Sequence, residues 1–135
     1  DVKSVKSGNF IIIRNKKILV CNETINNYHA TKFPGGGVEK NESPEDALIR
    51  EIYEELSLEC KIKLLLYSPG TLLSPWNNKL YTPIYYFIET RGNLIVPKNE
   101  SLKIDYLLPK EILNKDNVAK PEKRALKKLL EHDFI

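Results

Sequence analysis

The chain has 135 residues, of which 41% are hydrophobic and 29% charged, with a formal net charge of +3. These values are ordinary for one soluble globular domain. The apolar runs have the length of strands, which excludes a membrane-spanning helix, and we expect no signal peptide before the first strand. Cys21 and Cys60 lack the spacing of metal ligands and predict reduced thiols in a cytoplasmic protein.

The first half of the chain predicts two strands, a loop region and a helix. The segment GNFIIIRNKKILVCN predicts two strands joined by a basic turn at residues 15–17. ETINNYHATK predicts a polar loop, and FPGGGVE a glycine-rich loop whose backbone can approach other groups closely. NESPEDALIREIYEEL is typical of a helix, with Ser43 as N-cap and Pro44 at the first helical position. Its apolar stripe consists of Leu48, Ile52 and Leu56.

The second half predicts more strands and ends in a helix. CKIKLLLYSPG, KLYTPIYYFIET and SLKIDYLL predict strands, and PKEIL predicts a short helix. KPEKRALKKLLEHDF predicts an amphipathic helix whose inward residues are Ala125, Leu126, Leu129 and Leu130. This order of elements indicates a single α/β domain over residues 1–135, with a mixed sheet between helices.

The acidic residues are concentrated in one region. Residues 36–59 contain eight acids and two bases, so their local charge is −6 in a chain of positive net charge. Glu51, Glu54 and Glu55 lie at positions 0, 3 and 4 of the predicted helix and therefore share one face, where like charges repel. Clustered carboxylate oxygens suit a hard divalent cation such as Mg²⁺. The pattern thus predicts a cation site rather than a solvated helix face.

The segment GGVEKNESPEDALIREIYEELSL, residues 36–58, resembles the Nudix box. That motif is a glycine, five residues, a glutamate, seven residues and then Arg-Glu-apolar-x-Glu-Glu-x-Gly-apolar. The positions in register are Gly36, Glu42, Arg50, Glu51, Ile52, Glu54, Glu55 and Leu58. The one departure is Ser57, where the family has glycine. Serine adopts the left-handed conformation less readily, so we expect a different helix end or strain of up to about 1 kcal/mol.

The resemblance implies a Nudix-type α/β/α sandwich with a mixed β-sheet and a Mg²⁺-dependent hydrolase, with Mn²⁺ as a substitute. The substrate would carry a diphosphate linkage in a nucleoside diphosphate derivative. The catalytic residues implied are Glu54, Glu51, Arg50 and Glu42, the last two bracing loop and helix. The metal ligands implied are Glu51, Glu54, Glu55, the Gly35 carbonyl and Glu100 as a fourth acid, for which Glu89 and Asp105 compete. One of the glutamates would also act as general base.

The substrate is less defined than the reaction. The candidate substrate-binding residues are Phe33, Gly35, Gly36, Trp76 and Lys120. Trp76 lies in a polar turn, where it is either a base-stacking platform or a surface residue. The basic face of the last helix is either a solvated face or a contact for phosphates or RNA.

A (d)NTP or related nucleotide is the first-choice substrate. The alternatives are ADP-ribose or another nucleotide-sugar, suggested by YSPG at residues 67–70, and dinucleoside polyphosphates or capped RNA. A nucleotide- or RNA-binding module with weak catalysis is the alternative of another class. We expect a small-molecule nucleotide partner ahead of RNA, no membrane partner, and a cytoplasmic monomer or homodimer.

Overall fold

The computed structural model describes residues 5–95 and 103–135. The strands are β1 Val5–Ile11, β2 Ile13–Arg14, β3 Lys17–Ile25, β4 Tyr28–Lys32, β5 Gly35–Gly37, β6 Glu59–Tyr67, β7 Leu72–Leu73, β8 Leu80–Arg91 and β9 Lys103–Leu107. The helices are α1 Pro44–Leu56, α2 Pro109–Leu113 and α3 Lys120–Leu130. No helix in this part of the chain is both long and apolar enough to cross a membrane.

The strands form two sheets. The first has the order β5-β1-β8-β6, with β7 also paired to β8. In the second sheet, β3 pairs with β2, β4 and β9. The β1–β8 pair is parallel and the other pairs of the first sheet are antiparallel, so this sheet is mixed. Strand β5 carries the glycines and is held at the edge of the sheet by β1.

Alternating side chains of the central strands fill two separate cores. On β1, Phe10 packs in the cluster that contains Leu48 and Ile52 of α1, whereas Ile11 packs in the cluster that contains Leu126 of α3. Because successive residues of a strand point to opposite faces, α1 and α3 cover opposite faces of the sheet. The predicted α/β/α sandwich with a mixed sheet is confirmed.

Helix α1 begins as its sequence indicates and ends in the left-handed conformation at Ser57. The Ser43 side chain accepts a hydrogen bond from the Asp46 backbone N–H at 3.1 Å, and Pro44 opens the helix. The helix ends at Ser57, which has φ 57° and ψ 30° in the left-handed region. Ser57 therefore adopts the left-handed conformation that favours glycine, so the helix does not end differently from the family, and of the two expectations only strain at Ser57 remains.

Two predicted loops contain strands instead. Residues 23–32 belong largely to a β3–β4 hairpin, whose turn is formed by Asn26 and Asn27 with φ 49° and 68°. Asparagine tolerates positive φ, so these two residues can form the tight turn that matches the twist of paired strands. The polar composition of the segment predicted a loop instead. The glycine segment is the short strand β5, in which Gly36 pairs with Gly8.

Candidate active site

Arg50 on α1 joins the helix to the segment before it. Its Nε donates to Glu42 Oε2 at 2.7 Å, and its Nη2 donates to Glu42 Oε1 at 3.0 Å. Nη2 also donates to the Gly37 carbonyl oxygen at 3.2 Å. These bonds from Arg50 hold the pKa of Glu42 at about 2, and the same pairing raises the pKa of Arg50. The brace predicted between loop and helix is therefore present.

The same guanidinium lies between two of the clustered carboxylates. Nη1 of Arg50 donates to Glu51 Oε1 at 2.9 Å and to Glu54 Oε2 at 3.2 Å. The Glu54 side chain is 58% exposed, whereas that of Glu51 is 16% exposed. Part of the repulsion expected on this helix face is thus offset by Arg50, and of these two acids Glu54 is the more open to solvent.

Glycines let strand β5 approach the acidic helix. A Cβ atom on Gly36 would overlap Cδ of Glu51, and one on Gly35 would overlap the Gly8 carbonyl oxygen. Any other residue would displace the strand or the carboxylate. The backbone of β5 therefore lies directly against Glu51.

Glu55 is the third of the clustered carboxylates. It lines a small cavity of about 80 Å³ with Cys21, Lys32 and Gly35. Burial, together with the charge of Glu55, raises the pKa of the Cys21 thiol to about 12. Cys21 is therefore a neutral, unreactive thiol, as its sequence context predicts.

The carboxylates are chemically suited to bind a metal ion, but their side chains do not converge on one position. Within residues 5–95 and 103–135, no three acidic, histidine or cysteine side chains are arranged to hold a metal ion. Glu51 and Glu54 contact Arg50, and Glu55 lines the small cavity beside Gly35. Glu100 lies outside the described residues. The donors are nevertheless all oxygen atoms next to a backbone strand without side chains, which fits a hard divalent cation.

A larger cavity of about 310 Å³ is also lined by residues of β5. Its walls include Gly35, Gly36, Trp76, Tyr85 and Glu122. The Trp76 ring lies 6.2 Å from that of Tyr28 at an interplanar angle of 50°. Three of the predicted substrate-binding residues, Gly35, Gly36 and Trp76, therefore line one cavity.

The other two predicted substrate-binding residues do not line this cavity. The Phe33 side chain is 1% exposed and packs edge-on against Tyr85, with 6.4 Å between ring centroids. The Phe33 ring therefore belongs to the hydrophobic core, while its backbone N–H donates a hydrogen bond to Glu122. Lys120 is exposed at the start of α3, one residue after Ala119, which does line the cavity.

Glu122 was not found from the sequence. It is 8% exposed, and its Oε2 accepts a hydrogen bond from the Phe33 N–H at 2.6 Å. Burial raises its pKa to about 7, although the Phe33 N–H and Lys32 favour the charged form. The available signal was its spacing, because Glu122 lies at i−3 from Ala125 and i−4 from Leu126 on the apolar stripe.

A NUDIX domain model matches residues 6–129, and the chain therefore belongs to this family. Enzymes of the family generally use divalent metal ions. The sequence is 31% identical over 77 residues to an 8-oxo-dGTP diphosphatase of Proteus vulgaris, covering 57% of this chain and 66% of that protein. It is 33% identical over 75 residues to an RNA pyrophosphohydrolase of a Nitratiruptor species, covering 55% of this chain and 48% of that protein. The matches thus span about half to two thirds of these relatives.

A solved structure supports the fold. The crystal structure of a MutT Nudix hydrolase from Burkholderia pseudomallei superposes with a TM-score of 0.78 at 19% identity, covering 94% of this chain and 98% of that one. The predicted family and fold are confirmed by these similarities. Both relatives are phosphoanhydride hydrolases by name, in agreement with the predicted hydrolase class.

Proposed function

We propose that this chain is a Mg²⁺-dependent pyrophosphohydrolase that cleaves a diphosphate linkage in a nucleoside diphosphate derivative, with a (d)NTP or related nucleotide as substrate. The observation that supports this most directly is the position of Gly36, which contacts Glu51 and lines the 310 Å³ cavity. Because the acidic helix and the cavity meet at β5, a nucleotide in the cavity places its phosphates beside the carboxylates.

The proposed metal ligands are Glu51, Glu54, Glu55 and the Gly35 carbonyl, with Glu100 as the fourth acid. Mg²⁺ is the proposed ion and Mn²⁺ its substitute, since both accept oxygen ligands. A bound divalent ion supplies positive charge against the diphosphate oxygens and lowers the pKa of a water molecule.

Glu54 is the proposed general base. Its side chain is more exposed than that of Glu51, so it is the carboxylate that water reaches more easily. It takes a proton as the water oxygen bonds to phosphorus, and the bridging P–O bond breaks with its electron pair leaving on the second phosphate. Arg50 and Glu42 hold the loop and helix in register during this reaction.

The cavity supports a nucleotide as ligand. Its volume of about 310 Å³ lies at the lower end of the range for small-molecule sites, roughly 300–1,000 Å³. Trp76 and Tyr85 provide aromatic surface, and Lys32 provides a positive charge. An apolar wall with a few polar groups suits a base and a ribose, while the glycine strand leaves room for the phosphates.

The 5′ end of an RNA is the second candidate substrate. The exposed basic residues of α3 begin at Lys120, which follows Ala119 of the cavity wall, and they offer positive charge for further phosphates. These residues are Lys120, Arg124, Lys127 and Lys128. The similarity to an RNA pyrophosphohydrolase also favours this candidate. We further propose a single domain over residues 1–135 that acts in the cytoplasm as a monomer or homodimer, without a membrane partner.

The test is hydrolysis of a substrate panel with Mg²⁺ or Mn²⁺. The panel contains the (d)NTPs, ADP-ribose, diadenosine polyphosphates, and triphosphorylated and capped RNA. We expect turnover of at least one nucleotide, and a loss of about 100-fold or more in Glu54→Gln, because general-base catalysis contributes about 10²–10⁴-fold. Glu59→Gln, an exposed position just after the acidic helix, is the matched control. Absence of turnover above Glu54→Gln for every substrate would leave a binding module as the better description.

A further inference from the structure

Strand β4 forms hydrogen bonds along both of its edges. One edge pairs with β3, and the other edge bonds to residues 117–122. On that second edge the Thr31 N–H donates to the Asn117 carbonyl oxygen at 2.9 Å, and Asn117 Nδ2 donates to the His29 carbonyl oxygen at 3.2 Å. Because alternate residues of a strand direct their backbone groups to the same edge, the next donor in this row is the N–H of Phe33.

Glu122 supplies the acceptor for this last donor. Its Oε2 accepts the Phe33 N–H at 2.6 Å, and both residues are buried. The Ala119 carbonyl oxygen accepts from N–H groups of α3 itself, so a carboxylate stands where a neighbouring strand would offer a carbonyl group. A buried N–H without an acceptor is costly, and this explains why a carboxylate lies inside the protein here.

The bond to Glu122 lies where the chain passes from one sheet to the other. Phe33 and Pro34 are the two residues between β4 of the second sheet and β5 of the first. Since proline has no N–H, the Phe33 N–H is the last backbone donor before the glycine strand. The Pro34 carbonyl oxygen accepts from the Phe10 N–H at 3.0 Å, which fixes the crossing to β1. The Glu122 bond fixes the same crossing to α3.

We propose that Glu122 is a positioning residue for the active site, because its bond to the Phe33 N–H fixes the place at which β5 begins. The strand carries the proposed Gly35 carbonyl ligand, and a Cβ atom on its Gly36 would overlap Glu51. A contact this close makes the site sensitive to the position of β5, since a misplacement of about 1 Å can cost about 100-fold in rate. This inference rests on the proposed function, because it assumes that β5 and the carboxylates hold the metal ion.

Two substitutions of Glu122 and one control isolate the acceptor. Glu122→Leu keeps a side chain of similar size but has no acceptor, whereas Glu122→Gln keeps an oxygen for the Phe33 N–H. Asn117→Ala is the matched control, because it removes the bonds from Asn117 Nδ2 to the His29 carbonyl oxygen and to Thr31 Oγ1. These bonds belong to the same edge of β4 but lie further from β5 than the Phe33 bond does.

The position of β5 is measured without metal or substrate, by ¹H–¹⁵N NMR of protein labelled with ¹⁵N at glycine. The chain has six glycines, of which Gly35 and Gly36 report on β5. Gly70 and Gly92 lie outside β5 at positions of positive φ and serve as internal references. In Glu122→Leu we expect the two β5 signals to shift while the two reference signals stay in place. The glutamine variant and the alanine control should keep all four signals at their wild-type positions.

Binding of Mn²⁺ is measured without substrate, from the electron paramagnetic resonance signal of the free ion. We expect the Kd for Mn²⁺ to rise about tenfold or more in Glu122→Leu, as is typical when a group that orients metal ligands is lost. With Mg²⁺, kcat should fall by a similar factor. Glu122→Gln should restore both values, and Asn117→Ala should leave both unchanged even where urea unfolding shows a loss of stability.

The inference is overturned if Glu122→Leu folds and leaves both the β5 glycine signals and the Kd for Mn²⁺ unchanged. Equal changes in Asn117→Ala would overturn it as well, because they would show a general effect of loosening the edge of β4. Glu122→Asp, whose carboxylate is one methylene shorter, is the second variant if Glu122→Leu does not fold. It should shift the same two glycine signals, and unchanged signals would again overturn the inference.

Hydrolysis separates this inference from the proposed function. Suppose that Glu122→Leu shifts the β5 signals and weakens Mn²⁺ binding, but that the wild type turns over no nucleotide. This result would refute the proposed function and retain the positioning of β5 by Glu122. Turnover by the wild type that is undiminished in Glu122→Leu would retain the proposed function and overturn the positioning role.

Discussion

Two carboxylates of this protein are held in opposite ways. Glu42 forms two hydrogen bonds with Arg50 and has a pKa of about 2, whereas Glu122 is buried with one backbone donor and has a pKa of about 7. Glu42 is therefore ionised at neutral pH, whereas Glu122 is about half protonated near pH 7. The contrast shows that one carboxylate is held ionised by an ion pair, while the other is buried with a single backbone donor.

The largest effect on activity is expected from a substitution of Arg50, which holds Glu42 in its ionised form. In Arg50→Lys the ammonium cannot form the two parallel bonds to Glu42 while also contacting Glu51 and Glu54. We expect kcat/KM with Mg²⁺ to fall roughly 10- to 100-fold, the range typical when a residue that orients metal ligands is changed. Steady-state kinetics on the best substrate of the panel measure this, with Arg14→Lys as an exposed control. Activity within twofold of the wild type would contradict the bracing role.

The next largest effect concerns how the titration of Glu122 makes the stability of the folded protein depend on pH. Its pKa is about 7 in the folded protein and 4.5 in the unfolded reference, so the folded state binds more protons between these values. The contribution to stability is therefore fully present below pH 4.5 and is lost as the pH rises through about 7. Glu122→Gln should remove this loss, on the order of 3 kcal/mol between pH 4 and pH 8. Urea unfolding at both pH values measures it, and identical pH slopes in the two proteins would contradict the raised pKa.

Glu42 should show the opposite slope. Its pKa is lowered from 4.5 to about 2 by the bonds from Arg50, so it contributes stability above pH 4.5 that is lost as the pH falls through about 2. Glu42→Gln should be less stable at pH 7 and should lose less stability on acidification. Thermal unfolding from pH 7 to pH 2 compares the two proteins. A slope at low pH equal to that of the wild type would show that the brace does not control the titration.

The smallest effect is expected at the helix end. Ser57 has φ 57°, a conformation that costs a residue with a Cβ atom up to about 1 kcal/mol relative to glycine. Ser57→Gly should therefore be neutral or stabilising by about 0.5–1 kcal/mol, with unchanged activity, because Glu51, Glu54 and Glu55 lie upstream. Urea unfolding at pH 7 provides the measurement. Clear destabilisation would mean that the serine side chain contributes to the helix end.

The sequence predicted well what depends on local spacing. The α1 cap, its apolar stripe and the register of Glu51, Glu54 and Glu55 are local patterns with a period of 3.6 residues. The β3–β4 hairpin was missed because most of the strand residues next to its turn are polar and its signal is only the pair Asn26 and Asn27. A periodic spacing of apolar residues indicates which face of a helix or strand is buried. A polar edge strand shows little of this spacing.

The cavity could be predicted only in part. Gly35, Gly36 and Trp76 were found from a motif and an unusual residue in a turn, and all three line it. The burial of the Phe33 ring and the role of Glu122 depend on how α3 packs against the segment after β4, 89 positions away in sequence. Such distant contacts follow from tertiary packing, which spacing along the chain does not encode.

The bond between Glu122 and the Phe33 N–H has a consequence for the order in which the site is made. The acidic helix ends at Leu56, whereas Ala119 and Glu122, which line the cavity, follow much later in the sequence. A nascent chain therefore has its carboxylates before it has a complete chamber for a nucleotide. The last helix therefore completes the cavity, and residues from distant parts of the chain must come together before its walls are in place.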